Sequence, residues 1–137
     1  MPERIKNMKD ERAKEQARAQ LDSIIEMVKN LGKAIHLDEI DEIEICQTAI
    51  QDDPLSVEVR SGWVNCGETM TSSEYRILLC TGGPAVQIIG YLNEYSEPDT
   101  AILQYQDWGT MWENYYGATL PEEEMLLDYA RQFYFSD

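Results

Sequence analysis

Side chains suited to proton transfer and nucleophilic attack are scarce in this chain: one histidine, His36, and three cysteines, Cys46, Cys66 and Cys80. A cysteine nucleophile needs a positioned base, and His36 is the sole imidazole on offer. It stands between two helical stretches, where a lone histidine is usually a solvated surface residue. Cys80 ends an apolar run, where a free cysteine usually packs as a small apolar side chain. The acidic run Asp38-Glu39-Ile40-Asp41-Glu42 lacks the glycine and the length of a calcium loop, and no C-x-x-C pair occurs. Gly82-Gly83 lacks the Lys-Ser/Thr of a phosphate-binding loop and joins two strand-like runs, so a tight hairpin is the expected role. These residues predict no enzyme, no metal site and no cofactor.

The unusual stretch is 105–116, which reads Tyr-Gln-Asp-Trp-Gly-Thr-Met-Trp-Glu-Asn-Tyr-Tyr. Large aromatics with a polar handle are enriched at binding hot spots, which makes Trp112 and Tyr116 candidate anchors. Trp63 and Trp108 lie beside strand-like runs and are expected to close the core instead. Stacking on bases would require a basic surface, and the charge is of the wrong sign. Eleven Lys and Arg stand against twenty-six Asp and Glu, a formal net charge of -15. Residues 1–33 hold eight basic and six acidic side chains, a net +2. The remaining 104 residues hold Arg60, Arg76 and Arg131 against twenty acids, a net -17. Direct nucleic-acid binding is therefore not expected. Fixed carboxylates can instead address a protein that normally grips phosphates, although many acidic proteins carry such charge merely to stay dispersed.

These side chains must be positioned by elements readable from periodicity. Residues 2–31 are rich in Ala, Lys, Arg, Glu and Gln and predict one long helix, with Gly32 as its stop. Ala17, Leu21, Ile24, Val28 and Leu31 form one apolar stripe, whereas the first four turns hold just Ile5, Met8 and alanines and are expected to be solvated. Asp38 is a candidate N-cap for a second helix with Ile40, Ile43, Cys46 and Ile50 on one side, ending before Asp53-Pro54; a short strand through Ile43 and Ile45 is the less favoured alternative. From Ser56 the period changes to two, giving strands over 56–60, 75–80, 85–92 and 100–106. Thr119 and Glu122 stand in capping-box spacing before a last helix that turns Leu126, Leu127, Ala130 and Phe133 to the sheet. The expected fold class is α+β: a long N-terminal helix, a second helix, a four-stranded antiparallel meander and a C-terminal helix packed on the sheet. Its parts are a partly solvated helix over 1–35 and a single acidic domain over 36–137. Three widely spaced cysteines argue for a reducing compartment, and no leader or apolar span is visible, so a cytoplasmic, membrane-free protein is expected.

Three segments carry a resemblance: Asp53-Pro54-Leu55-Ser56-Val57-Glu58-Val59-Arg60-Ser61-Gly62-Trp63, Leu78-Leu79-Cys80-Thr81-Gly82-Gly83-Pro84-Ala85-Val86, and Tyr105-Gln106-Asp107-Trp108. Together they resemble a family of small acidic proteins encoded on phages and other mobile elements of gut bacteria, a family without an assigned enzymatic activity. Where that family is expected to read Trp-Gly-Thr-Pro-Trp, this chain has Met111. The resemblance implies a context in which small acidic proteins often inhibit host defence, anti-CRISPR and anti-restriction proteins among them. The resulting expectation is an inhibitor acting in the bacterial host cytoplasm on a basic nucleic-acid-handling protein such as a CRISPR effector. Its contacts would be Asp38, Glu39, Asp41, Glu42, Glu58 and Glu94, with Trp112 and Tyr116 as anchors. The alternative is a non-enzymatic accessory module of a phage or mobile element, forming a homodimer through the stripe of the N-terminal helix.

Overall fold

The stripe of the first helix continues past its expected stop. In the computed structural model, which describes residues 2–135 except for the side chains of 2–10, α1 runs over Pro2–His36. Leu31 and Ala34 extend the apolar face by one more turn and are buried, so the helix passes through exposed Gly32. A helical glycine costs about 1 kcal/mol against alanine, less than the burial of that turn returns. The chain reverses at Asp38, whose φ of 54° is left-handed, while the Glu39 N–H closes back on the Ala34 carbonyl at 3.1 Å. Asp38 therefore terminates α1, as asparagine or glycine more often does, and does not cap the next helix. That helix, α2 over Ile40–Asp52, has Glu39 at its N-cap with no side-chain bond. Cys46 and Ile50 are buried on it, Ile43 is half-buried, and Ile40 is exposed.

Five strands follow in a meander, each antiparallel to the next: β1 Ser56–Ser61, β2 Ser72–Cys80, β3 Ala85–Tyr91, β4 Ile102–Gln106 and β5 Glu113–Asn114. Four match the sequence reading within a few residues, and β5 is the addition. The β2–β3 hairpin turns on Gly82 alone, at φ 95°. Last comes α3, Leu120–Ala130, opened by the expected capping box: the Glu122 N–H donates to Thr119 Oγ1, and Glu122 Oε1 accepts from the Thr119 N–H. Leu126 and Ala130 are buried as expected, Leu127 and Phe133 are half-buried, and Tyr129 is the largest fully buried side chain.

All three helices lie on one side of the sheet and share one core with it, running from Ala13 and Leu21 through Ile77, Ile88 and Leu103 to Leu126. Ala13 is fully buried, so the early turns are not solvated throughout; Ile5 and Met8 lie outside the described side chains. The stripe of Ala17, Leu21 and Ile24 is fully buried inside the monomer, which leaves no free face there for a second copy. The core is closed by Tyr75, Tyr105, Tyr129 and Phe135, with the Tyr75 and Phe135 rings 4.9 Å apart. Trp63 and Trp108, expected in that role, are exposed, because each sits in a loop beyond a strand end rather than on the helix-side face. Among the described residues no helix is long and apolar enough to cross a membrane.

Candidate interaction surface

The sheet has two faces, and the helices cover one. Strand alternation sends Ile77, Ile88 and Leu103 to the helices and the intervening residues to the other side. Paired positions assign three rows to that bare face. Ser56, Leu78, Gln87, Gln104 and Asn114 form one; Glu58, Arg76, Ile89 and Ile102 the next; Arg60, Glu74 and Tyr91 the third.

Each row carries its own chemistry. In the first, the Gln87 amide donates to Gln104 Oε1 at 2.8 Å, and Gln104 donates to Asn114 Oδ1 at 2.8 Å, an amide ladder across three strands. Gln87 Oε1 ends the ladder, 4% exposed as a residue and without a partner among the described residues. In the second and third, Arg76 bonds Glu58 at 2.9 Å and Arg60 bonds Glu74 at 2.6 Å, with the guanidinium of Arg60 holding the Glu74 carboxyl below its usual range. A groove of about 460 Å³ runs across these rows, with Ile89 and Ile102 in its floor, Trp112 on one flank and the Glu58–Arg76 pair on the other. Two arginines balance two carboxylates there, so the groove is neutral within a strongly acidic body.

Trp112 also borders a second hollow of about 850 Å³, between α1 and the β5 edge, with Lys14, Arg18, Tyr105, Tyr115 and Tyr116 around it. Arg18 is held there by Glu122 at 2.5 Å and Asp22 at 2.9 Å. The same contact, together with the Thr119 N–H, draws the Glu122 carboxyl down to about 2.

The structure brings Glu58 and Trp112 to one groove, and Tyr116 to the neighbouring hollow that shares Trp112. Asp38 and Glu39 are exposed at the turn between α1 and α2 and Asp41 and Glu42 on the first turn of α2, in the helical layer behind the sheet, and Glu94 is exposed in the β3–β4 loop. These acids do not form one patch with the groove. The amide ladder escaped the sequence reading. Its signal was present, since Gln87, Ile89 and Tyr91 alternate with the core residues of β3, as Ile102 and Gln104 do in β4.

Burial raises the thiol pKa of Cys80, which lies 3.7 Å from Gln16 Nε2 and points its hydrogen at the Pro84 carbonyl. Burial and Glu42 raise that of Cys46. A raised thiol is a poor nucleophile at neutral pH. His36 and Cys66 are exposed, and among the described residues no group of three His, Cys, Asp or Glu side chains is placed to hold a metal ion. What the arrangement offers is recognition: an apolar strip with a hydrogen-bond acceptor unmet among the described residues and neutralised charge on its walls. Compared with protein-family models, with curated proteins and with solved structures, the chain finds no match.

Proposed function

We propose that the chain is a non-enzymatic inhibitor of phage or mobile-element type, working in the bacterial cytoplasm against a nucleic-acid-handling defence effector, most concretely as an anti-CRISPR protein. The observation behind this reading is electrostatic. Residues 34–137 carry twenty acidic side chains and three arginines, and each arginine is already engaged: Arg60 by Glu74, Arg76 by Glu58, and Arg131 by the Pro98 carbonyl at 3.1 Å. Most of the remaining carboxylates are held on exposed positions of a folded scaffold. A basic groove evolved for phosphates is attracted to such a surface and associates quickly at low salt. Trp112, Ile89 and Ile102 add the apolar contact that long-range charge cannot supply, and binding specificity follows from the two together.

The test is competition between this protein and target DNA for the guide-loaded effector at low and high salt. Reversing Asp38, Glu39, Asp41 and Glu42 to lysine, and separately Glu58 and Glu94, is expected to abolish inhibition while the far-ultraviolet dichroism stays unchanged. Trp112→Ala is expected to weaken inhibition at every salt concentration. Full inhibition by the charge-reversed proteins would refute the reading.

A further inference from the structure

The sheet is open along β1. That strand pairs with β2 on one side, in unbroken register over residues 56–60, and among the described residues no helix packs on it as α1 does on β3 and β4. Among the described residues, no backbone group of 57–60 has a hydrogen-bond partner other than β2. Val57 and Val59 belong to the helix-side face, yet they are 37% and 41% exposed, since nothing covers this margin. A six-residue edge with free N–H and C=O groups is a template for another strand.

We infer that β1 pairs antiparallel with β1 of a second copy of this chain, about a two-fold axis at Val59, so that two five-stranded sheets become one continuous sheet. The chemistry of the strand selects this register. Residues facing each other across the axis must share a face of the sheet, which restricts the two-fold centre to a residue position. Centred on Val59, valine meets valine, Val57 meets Ser61, and Glu58 of each copy meets Arg60 of the other. Centred on Glu58 the two glutamates collide; centred on Arg60 the two arginines do. Of these three registers, the Val59 centre alone sets opposite charges on both polar rungs. Within one chain Glu58 already bonds Arg76 and Arg60 already bonds Glu74. Each rung therefore becomes an alternating line of Glu74, Arg60, Glu58 and Arg76 that crosses the interface.

A second observation fits the same register. Leu55 is 61% exposed and Trp63 is fully exposed, at opposite ends of β1. They lie equally far from Val59 along the chain, so the Val59-centred pairing brings Leu55 of each copy level with Trp63 of the other. Two otherwise unrelated exposed apolar side chains become one contact made twice. Glu58 is shared with the acidic-surface reading, which stands without the dimer on Asp38, Glu39, Asp41, Glu42 and Glu94, so a monomeric chain would leave that reading in place.

Sedimentation equilibrium of the full chain over a rising concentration series is expected to show a reversible dimer. Glu58→Arg and Arg60→Glu, each alone, set like charges on both rungs and are expected to weaken the dimer about tenfold or more. An equimolar mixture of the two variants restores opposite charges on every rung and is expected to form the heterodimer. These exposed pairs contribute little to the fold, which circular dichroism of each variant checks. As an independent readout, Val59→Cys in a Cys66→Ser background is expected to oxidise to a disulfide-linked dimer, and Val57→Cys in the same background is not. A wild type that remains monomeric overturns the proposal and leaves the edge to a strand from a different protein. Variants that dimerise like the wild type, a mixture that fails to pair, or cross-linking through residue 57 in place of 59 would each overturn it as well.

Discussion

Replacing Tyr129 by phenylalanine isolates one bond between α3 and the start of the sheet. The ring is fully buried and meets Phe133 edge-on at 5.4 Å, and its hydroxyl donates to Asp53 Oδ2 at 2.7 Å, just after α2. Phenylalanine retains the packing and deletes the donor. Hydrogen bonds to charged groups contribute about 1.5–3 kcal/mol, but Asp53 is exposed and recovers water, so the loss should sit near the lower limit, about 1–1.5 kcal/mol. The unfolding entropy of a 137-residue chain is about 0.29 kcal/mol/K, which converts this into a fall in Tm of about 3–5 °C. Tyr129→Ala removes the ring too and should lose about 3–5 kcal/mol, a fall of more than about 10 °C. The assay is thermal unfolding followed by circular dichroism, with Asp53→Ala and the double variant completing a mutant cycle. If Tyr129→Phe and Asp53→Ala add independently within about 0.3–0.5 kcal/mol, the bond does not join the two elements and the reasoning fails.

Burial raises the hydroxyl pKa of both Tyr75 and Tyr129, so their stabilising effect is complete below the unfolded tyrosine value and is lost as pH climbs. Stability should therefore decline above about pH 10, and ultraviolet titration should find at least two of the eight tyrosines, Tyr75 and Tyr129, delayed until unfolding; all eight ionising together in the folded protein would contradict this. Glu122 has the opposite sign: its carboxyl, held at about 2, contributes above the ordinary glutamate range, and that contribution disappears as pH falls towards 2. A carboxyl titration by NMR should show its midpoint rising in Arg18→Met, and an unmoved midpoint would remove Arg18 as the main cause. Gly90→Ala should lose about 1–3 kcal/mol, because a Cβ there runs into the Thr100 carbonyl and the Tyr75 ring; denaturant midpoints equal to wild type would show that β3 and the following loop can separate. Ile24→Glu should unfold the monomer, since it places a charge in the core, and a folded variant with wild-type dichroism would refute the burial of the stripe.

The helices and four of the strands were legible because each obeys one period over a sufficient length. The stripe of α1 repeats at three and four, Val57, Glu58 and Val59 of β1 alternate at two, and Thr119 with Glu122 marks a helix start by chemistry that few other contexts need. Ambiguity entered where one residue type serves two geometries. Asp38 can cap a helix or adopt the left-handed turn that ends one, and its neighbours gave no sign that Ala34 would draw α1 onward. The strand β5 is two residues long, too short for any period, and lies within an aromatic segment that masked it. Trp63 and Trp108 were misplaced because aromatic character measures affinity for an interior without saying whether the backbone turns the ring inward. The groove depended on pairings between residues far apart in sequence, seventeen positions for Gln87 with Gln104 and eighteen for Glu58 with Arg76, and such pairings exist only after the chain has folded.

The helix made first is also the one that must wait longest. During synthesis α1 precedes what it packs on: α2 and β3 are made by residue 91, but β4 and α3 are available only when residues beyond 100 have been added. Arg18 and Glu122, 104 positions apart, close that circuit. A ribosome that stops short of α3 releases a core open where Leu126, Tyr129 and Ala130 would sit, a ready substrate for holdase chaperones and proteases. The core is consequently closed only once α3 has been made.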